Sequence, residues 1–576
     1  MGVIRSAIPY DELGREVVSS KGAIATSRDF DSLGDPISVT RAGRTVGYEY
    51  DADRPGRVTG VVYPNGQVVS RSYDAAGRWV GVTDWDGNTT SFGYDAESNV
   101  SSVTGPNSMS VTRIFDVNGA VSSVTYDIPG LTWPVSYGRG LGGELVSVTQ
   151  WGSSGSWGYD ADAQVVSSSN PSGTFAYDPG RNPTRLTGRF QAFDVSGELC
   201  WVGSSTGDCG QPPAGATVYD YDDDGQRTAA GAESFAYDAY GAMTSASSGS
   251  SGYSYSADGL RVSKVVNGDT TEFAWDNSVE VAELVQDGDD YYIYGPDGMP
   301  VERIGADPTV WLLTNETGSV ASSIDVNGQL VTTRSYDSWG NEVAHTGDPV
   351  SLGWQSQYQD TETGLYYLRH RYYDPTTAQF LSPDPLFALS GDRYGYAYND
   401  PINGSDPTGL WCAWWNDDCD FSDVRNFAAG WVSGMTGGIV GYGEADGVDT
   451  DSAAFGVAWW GGAFSTFLAG VLLRAGEGGV GRSAACETSV RSTLDDLGMG
   501  RSGAGNVRVV DSVGDLQRTW SDISRGGHSY IGRIGAEQVH LPDGTIVSYR
   551  YNSKSGGPAI DVRFPDGTKA KIHVRQ

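Results

Sequence analysis

The stretch YDAAGRWVGVT, residues 73–83, is the clearest copy of a unit that recurs from about Val39 to Val343. Related copies begin at Tyr50, Tyr94, Phe115, Tyr159, Tyr177, Tyr219, Tyr237 and Tyr336. The step from Tyr73 to Tyr94 equals the step from Tyr94 to Phe115. A period of about 20 residues, built from strand, turn and strand, predicts repeated β-hairpins.

Each part of this unit has a predicted structural role. The Asp-x-x-Gly tetrad supplies the turn, because glycine readily adopts positive φ. The Tyr is predicted to stack on the same residue of neighbouring units. A single hairpin is marginally stable, so the sheet must spiral or close to protect its edges. The repeats therefore predict a mainly β shell in which Tyr and Asp are scaffold. The repeat region is short for a closed cocoon, so we expect a small shell or an upstream segment.

The composition agrees with a β-repeat protein and restricts its function. The chain has 576 residues, of which 80 are Gly, 32 Tyr and 17 Trp. Its formal charge of −34 argues against nucleic-acid binding by the whole protein and favours a soluble, self-repelling surface. Cys200 with Cys209, and Cys412 with Cys419, lie in short segments that a disulfide could close, and Cys486 is left over. Such bridges favour an oxidising, exported setting, with free thiols as the alternative.

A second distinctive stretch follows the repeats. Thr361–Leu410 reads TETGLYYLRHRYYDPTTAQFLSPDPLFALSGDRYGYAYNDPINGSDPTGL. Its density of Pro excludes one long helix, because Pro lacks the backbone N–H and its ring blocks the preceding turn. Short runs such as Leu365–Leu368 and Arg371–Tyr373 predict strands between Pro/Asp turns. The stretch separates the acidic repeat region from a C-terminal part of different composition.

The same stretch closely resembles the core that ends the repeat shell of Rhs (rearrangement-hotspot) and YD-repeat proteins. The matching motifs are GLYY from Gly364, RYYDP from Arg371, FLSPDP from Phe380, YGYAY from Tyr394, NDP from Asn399 and DPTGL from Asp406. The resemblance implies a hollow β-cocoon holding a C-terminal toxin. It also implies an aspartyl autoprotease that uses Asp384 and Asp406 with help from Arg371. The cut would fall between Leu410 and Trp411.

The chemistry of such a pair can be stated from the residues. Two carboxylates held close together cannot both ionise, so one keeps its proton. The ionised group activates water and the protonated group polarises the peptide carbonyl. A nearby Arg could hold one carboxylate charged. The alternative is that these Asp-Pro pairs only form turns, in which Asp caps the turn and Pro fixes φ.

The next segment, Trp411–Val480, is rich in Gly, Ala and large apolar residues. It contains an uncharged run, Ala453–Leu473, which is long enough to cross a bilayer. We predict an apolar helical segment with three alternative roles: translocation across a target membrane, storage inside the shell until cleavage, or constitutive anchoring.

Met1–Val17 lacks the basic-then-apolar pattern of a signal peptide, so we expect another export route or a longer protein.

The C-terminal region changes composition again. Arg501–Gln576 contains 11 Lys+Arg against 7 Asp+Glu, which suggests a nucleic-acid substrate and an acidic shell that holds the basic tail. We predict helices over Cys486–Leu497 and Asp511–Ser524. Four antiparallel strands are predicted to follow, over Gln538–Leu541, Ile546–Tyr551, Ala559–Phe564 and Lys569–Val574. This layout resembles the barnase, EndoU and colicin group of toxin ribonucleases.

The strand alternation suggests a catalytic face for a metal-independent ribonuclease. Such an enzyme needs a base, an acid and cations for the phosphorane charge, and histidine titrates in the right range. We predict His528 and His573 as the acid–base pair, with Arg550 and Arg563 beside them. The substrate-binding residues would be Lys554, Lys571 and Asp561, with Tyr551 stacking a base. No metal site and no cofactor is predicted. The alternatives are a solvated sheet face without activity, or another effector chemistry: DNase, deaminase or ADP-ribosyl transferase.

Together these observations predict a secreted or cell-surface toxin used in competition between bacteria. Its predicted domains are a repeat shell over residues 1–360, a self-cleaving core over 361–410, an apolar segment over 411–480 and an effector over 481–576. The effector would degrade RNA in the target-cell cytoplasm, and the producer would hold a cognate immunity protein, acidic to cover the basic face. Delivery would bring the chain to a target-cell membrane. The alternative is a non-enzymatic surface protein whose repeats contact carbohydrate.

Overall fold

The computed structural model describes residues 10–150, 153–279, 281–387 and 391–410, together with shorter stretches of the C-terminal part: 507–510, 519, 528–531, 537–540, 545–550, 559–564 and 568–574. The chain divides into two compact units, Met1–Gly470 and Val471–Gln576.

The first unit is dominated by a 33-stranded sheet in which each strand pairs antiparallel with its neighbours along the chain. This confirms the mainly β shell. The strands are β1 Val18–Lys21, β2 Ile24–Phe30, β3 Pro36–Arg41, β4 Arg44–Tyr50, β5 Val58–Val62, β6 Val68–Tyr73, β7 Trp79–Thr83, β8 Thr89–Tyr94, β9 Val100–Thr104, β10 Ser110–Phe115, β11 Val121–Ile128, β12 Leu131–Arg139, β13 Leu145–Gln150, β14 Ser153–Tyr159, β15 Val165–Ser169, β16 Ser172–Tyr177, β17 Pro183–Leu186, β18 Arg189–Phe193, β19 Leu199–Gly203, β20 Thr217–Tyr221, β21 Arg227–Ala230, β22 Glu233–Tyr237, β23 Met243–Ala246, β24 Ser251–Tyr255, β25 Arg261–Val266, β26 Asp269–Asp276, β27 Glu283–Asp287, β28 Asp290–Tyr294, β29 Pro300–Ile304, β30 Val310–Thr314, β31 Val320–Ile324, β32 Leu330–Tyr336 and β33 Glu342–Thr346.

The Asp-x-x-Gly tetrad forms the hairpin turn as predicted. At Asp74, the backbone N–H donates to the carbonyl of Arg78 at 2.9 Å, and the N–H of Gly77 donates to the carbonyl of Asp74 at 3.0 Å. The Asp74 carboxylate accepts the N–H of Arg78 at 2.9 Å, which fixes the loop. Gly77 has φ +91°, where a side chain would be strained. The predicted repeat start at Tyr219 is wrong: the turn follows Tyr221, where the strand register shifts.

The repeat tyrosines make a different contact from the predicted stacking. The hydroxyl of Tyr73 donates to the carbonyl of Val58 at 2.6 Å, and that of Tyr94 donates to the carbonyl of Trp79 at 2.5 Å. The guanidinium of Arg78 also lies over the Tyr94 ring, 4.7 Å from its centroid. Each tyrosine therefore ties its hairpin to the preceding one through a hydrogen bond.

Early strands of the meander pack against late ones, so the sheet folds back on itself. Val61 and Val111 share one buried apolar cluster with Val285 and Trp311. Buried charges also cross this contact, since Arg71 Nη2 lies 2.7 Å from Asp276 Oδ2. Contacts between such distant parts of the chain are how a long meander buries its apolar face.

A small four-stranded sheet follows the meander and belongs to the Thr361–Leu410 stretch and the residues just before it. Its strands are β34 Tyr358–Gln359, β35 Tyr366–Leu368, β36 Arg371–Asp374 and β37 Gln379–Phe380. Aromatic residues of three of these strands, Tyr366, Tyr373 and Phe380, form a buried aromatic cluster with Trp354 and Tyr396. We call residues 352–410 the core.

The core contacts strands that lie far apart along the meander. Arg227 Nη1 lies 2.8 Å from Asp374 Oδ2, and Arg261 Nη1 lies 2.6 Å from Asp360 Oδ2. The backbone N–H of Leu145 donates to Asn403 Oδ1 at 2.7 Å. The shell thus holds the core from several sides by polar contacts.

Short 3-10 turns occur at Ser248–Ser250, Trp354–Ser356 and Ala397–Asn399. The predicted bridge between Cys200 and Cys209 is formed. Cys412, Cys419 and Cys486 lie outside the described residues, as does the predicted apolar segment. Among the residues described, no helix is both long and apolar enough to span a bilayer.

The C-terminal unit contains a six-stranded sheet in the order β38-β43-β42-β41-β40-β39. Its strands are β38 Val507–Val510, β39 His528–Ile531, β40 Glu537–His540, β41 Ile546–Arg550, β42 Ala559–Arg563 and β43 Lys569–Val574. The four predicted strands are present, but the four-stranded antiparallel sheet is wrong. The sequence pattern missed β39, and it missed β38, which pairs parallel with β43.

Of the two helices predicted in this unit, little is described. Thr519, within the predicted Asp511–Ser524 helix, is helical and 7% exposed. The predicted Cys486–Leu497 helix lies outside the described residues.

Candidate self-cleavage site

The structure brings together the three residues that the resemblance assigns to self-cleavage. Arg371 Nη2 lies 3.2 Å from Asp384 Oδ2 and 3.1 Å from Asp406 Oδ2. One guanidinium nitrogen thus bridges two carboxylates from separate parts of the core. Geometrically, this is a carboxyl pair with a shared cation.

Each of the three side chains is fixed by its local structure. Arg371 begins β36 and its guanidinium lies over the Phe380 ring, 3.6 Å from the centroid. Asp384 follows β37, and its Oδ1 accepts the N–H of Leu386 at 2.7 Å. Asp406 donates its backbone N–H to the hydroxyl of Tyr396 at 3.0 Å. The site is therefore pre-organised by the aromatic cluster of the core.

Burial controls the charge state of this pair. Asp384 is 1% exposed and Asp406 is 2% exposed. Burial raises the pKa of Asp384 to about 7, against the opposing effect of Arg371. Burial also raises the pKa of Asp406, while Arg371 and hydrogen-bond donors lower it. Since the two groups share one cation in a dry environment, near neutral pH the pair can hold one proton, the state that acid–base catalysis requires.

Three consecutive residues of the core hold the segment that precedes the expected cut. Arg369 Nη1 donates to the carbonyl of Pro407 at 2.6 Å, and the backbone N–H of His370 donates to that of Thr408 at 3.1 Å. Arg371 Nε donates to the carbonyl of Gly409. We call these three contacts the carbonyl ladder. It fixes the backbone up to the last residue before Leu410.

Leu410 itself lies against the acidic pair. Its backbone N–H donates to Asp406 Oδ1 at 3.1 Å. The Thr408 hydroxyl lies 3.3 Å from the carbonyl oxygen of Leu410, and Leu410 is 3% exposed. Trp411, on the other side of the expected cut, lies outside the described residues. Sequence reasoning missed Thr408 and Arg369. The DPTGL motif contains Thr408 but does not show that its hydroxyl reaches the Leu410 carbonyl, and the spacing of Arg369 does not signal its contact with Pro407.

The turn-forming alternative describes two other Asp-Pro pairs of the core. Asp374 Oδ1 accepts the N–H of Thr376 at 2.9 Å, and the Asp400 carboxylate accepts the side-chain amide of Asn403. Arg371 donates instead to Asp384, Asp406 and the carbonyl of Gly409. Asp384 and Asp406 also cap local turns, through the N–H groups of Leu386 and Leu410, but they differ from Asp374 and Asp400 in sharing the Arg371 guanidinium.

The predicted effector residues fall on the C-terminal sheet, but not all beside one another. His528 pairs with His540 on β40, whereas His573 pairs with Ala559 on β42. Three strands therefore separate the two histidines, about 19 Å along the sheet at the usual strand spacing. The predicted acid–base pair is not brought together by this register.

The cationic residues of the effector are closer in register. Arg550 pairs with Ala559, and Asp561 pairs with Lys571. Arg563 pairs with Lys569, and both side chains are exposed. Lys554 and Tyr551 lie outside the described residues. Within the described stretches, no cluster of three or more His, Cys, Asp or Glu could hold a metal ion.

Comparisons with known proteins agree with this architecture. The Teneurin YD-shell family model matches residues 107–402, and the RHS Repeat model matches residues 53–90 and 73–110. The crystal structure of TcdB2-TccC3-Cdc42 is similar with a TM-score of 0.54 at 16% identity, over 69% of this chain and 24% of that chain. The structure of the Photorhabdus luminescens Tc holotoxin pore is similar with a TM-score of 0.55 at 16% identity, over 71% of this chain and 24% of that chain. These likenesses concern the fold.

Curated relatives share shorter regions. The tRNA nuclease WapA of Bacillus subtilis is 33% identical over 172 residues, 28% of this chain and 7% of that protein. The toxin protein Tse5 of Pseudomonas aeruginosa is 37% identical over 113 residues, 19% of this chain and 8% of that protein. The chain thus spans less than a tenth of the length of these two relatives. Because the family model covers just over half of the sequence, the chain belongs to the Teneurin YD-shell family.

Proposed function

We propose that this chain is a toxin component used between bacteria, in which a YD-repeat shell cuts its own backbone between Leu410 and Trp411. The observation that carries the proposal is the buried Arg371 bridging Asp384 and Asp406 beside Leu410. The similarity to one relative named as a toxin and to another named as a tRNA nuclease supports the biological setting.

The proposed cut is a hydrolysis within one chain. The ionised carboxylate takes a proton from a water molecule, and the oxygen of that water attacks the carbonyl carbon of Leu410. The protonated carboxyl hydrogen-bonds the carbonyl oxygen, and a proton then passes to the Trp411 nitrogen as the C–N bond breaks. The products are a Leu410 carboxylate and a free Trp411 amine. The positive charge of Arg371 stabilises the ionised carboxylate in the buried site, where water cannot do so.

The test follows the full chain after synthesis. The wild type is expected to give two fragments, the second beginning with Trp411 by N-terminal sequencing. Asp384→Asn and Asp406→Asn should stay intact. Asp400→Asn is the matched control, because Asp400 is also a buried Asp-Pro residue of the core. The rate should not depend on protein concentration. A wild-type chain that stays intact, or a cut at an Asp-Pro bond, would refute the proposal.

We further propose that the released C-terminal part degrades RNA. This is supported by its excess of Lys and Arg, by the exposed Arg563 and Lys569 on paired strands, and by the name of the WapA relative. A single histidine, His573, is the residue to test first, since the register separates it from His528. Delivery to the target-cell cytoplasm and an acidic immunity protein in the producer belong to the same proposal.

The effector test compares His573→Ala with the wild type on total RNA. The control is His345→Ala, which alters an exposed histidine of the shell. RNA breakdown lost only in His573→Ala is the expected result. Intact RNA with damaged or deaminated DNA would replace the ribonuclease by another effector chemistry.

A further inference from the structure

The Thr408 side chain lies at the centre of the contacts around the expected cut. Its hydroxyl is 3.3 Å from the Leu410 carbonyl oxygen and 3.3 Å from Asp406 Oδ1. It also accepts the backbone N–H of Leu410 at 3.1 Å. The residue is 9% exposed, so water scarcely competes for these bonds. A hydroxyl has one proton, and both oxygens are within its reach.

We propose that Thr408 is a catalytic residue of the self-cleavage reaction, whose hydroxyl donates to the Leu410 carbonyl oxygen as that oxygen gains negative charge. This inference rests on the proposed cleavage after Leu410. In the ground state the proton can be shared between the Asp406 carboxylate and the carbonyl. When water attacks, the charge on the carbonyl oxygen grows, and the hydrogen bond to it strengthens. This is the action of an oxyanion-hole donor.

The surrounding structure keeps this hydroxyl in place. The carbonyl of Thr408 accepts the backbone N–H of His370 at 3.1 Å, and the carbonyl ladder fixes the residues on either side. The donor is therefore aligned before reaction, and no reorganisation is needed when charge develops. Removing one such donor lowers rates by about 100-fold or more in enzymes that depend on it.

The experiment measures the first-order cleavage rate of the full chain, labelled during a short pulse of cell-free synthesis. Thr408→Val removes the hydroxyl with little change in shape and should slow cleavage about 100-fold. Thr408→Ser keeps the hydroxyl and should stay close to wild type. Thr408→Ala serves as a second variant without added bulk. Thr377→Val is the matched control, because Thr377 is a fully buried threonine of the core that lies elsewhere.

A pH profile separates the catalytic role from an indirect one. The Thr408 hydroxyl lowers the pKa of Asp406 by hydrogen bonding, so its loss raises that pKa. If Thr408 acted only through the pKa of Asp406, the pH–rate profile of Thr408→Val would shift to higher pH and its maximum rate would equal that of the wild type. We expect Thr408→Val to cleave slowly at every pH. Its melting temperature, measured in uncleaved chains that also carry Asp406→Asn, should equal that of Asp406→Asn alone.

The outcomes distinguish this inference from the function on which it rests. Cleavage of Thr408→Val at the wild-type rate, or full recovery at higher pH, overturns the role of Thr408 and leaves self-cleavage standing. An intact wild-type chain overturns both. Slow Thr408→Val and Thr408→Ala beside fast Thr408→Ser supports the inference.

Discussion

Arg261→Met should weaken the attachment of the core to the shell. Arg261 is 1% exposed on β25, and its Nη1 donates to Asp360 Oδ2 at 2.6 Å and to the Tyr372 hydroxyl at 3.0 Å. Its guanidinium also lies 4.4 Å from the centroid of the Tyr367 ring. The side chain thus joins a shell strand to several residues of the core. Met retains most of the volume but removes the charge and the donors.

The expected loss is about 3 kcal/mol of unfolding free energy, because removing one partner of a buried ion pair costs about 3–5 kcal/mol when the other charge is left uncompensated. Asp360 keeps part of its compensation, since Lys264 Nζ lies 3.0 Å from Asp360 Oδ1. That places the expected loss at the lower end of the range. The lost cation–π contacts act in the same direction.

The assay is urea unfolding of the full chain, followed by Trp fluorescence, with Asp406→Asn present in every sample to prevent the proposed self-cleavage. Arg44→Met is the control, because Arg44 pairs with Glu272 at the surface, where its side chain is 37% exposed. A surface pair contributes about 0–1 kcal/mol. Asp360→Asn should lower the unfolding free energy less in the chain that already carries Arg261→Met than in the chain with Arg261.

Two results would contradict this prediction: a loss of unfolding free energy in Arg261→Met no larger than that in Arg44→Met, or simple addition of the losses in Arg261→Met and Asp360→Asn. Either result would mean that the buried pair does not hold the core. With Asp406 restored, Arg261→Met should also slow self-cleavage, because Tyr372 adjoins Arg371 in β36.

Burial raises the pKa of Glu302 to about 9. Between about pH 4.5 and pH 9 the Glu302 carboxyl is therefore ionised in the unfolded chain but neutral in the folded shell, so the shell loses stability as the pH rises through this window. The urea midpoint of Glu302→Gln should therefore rise relative to that of the wild type as the pH increases across that window. A difference in midpoint that does not change with pH would contradict this. Tyr73→Phe removes the hydrogen bond between adjacent hairpins and should cost about 1 kcal/mol, whereas Tyr240→Phe, at an exposed tyrosine, should cost nothing measurable. Replacing Cys200 and Cys209 together by Ser should cost about 2 kcal/mol in melting experiments, and no change would mean that the short loop is held by other contacts.

Much of the shell could be predicted because its signals are local. The Asp74–Gly77 turn depends on a carboxylate that accepts nearby N–H groups and on a glycine with positive φ, both visible in a short window. The strand ends follow from these turns. The repeat start at Tyr219 is wrong because two Tyr-Asp pairs are adjacent there, and only the strand register selects Tyr221.

The C-terminal sheet shows where local patterns are insufficient. The predicted Lys569–Val574 strand has the observed bounds, since its alternation is strong. Its parallel partner, Val507–Val510, lies far earlier in the chain, and no short-range signal joins them. The same reason explains the separation of His528 from His573: strand order depends on long-range pairing, which the alternation of one strand does not contain.

The sequence by itself determined the repeated hairpins, the acidic composition and the identity of Asp384, Asp406 and Arg371 as a set, because short motifs encode turns and the resemblance marks the residues. Only the tertiary structure decided that one guanidinium bridges both carboxylates, that burial raises their pKa values, and that Thr408 reaches the Leu410 carbonyl. The physical reason is that distance and desolvation arise from packing between segments far apart in the chain, whereas a turn arises from neighbours.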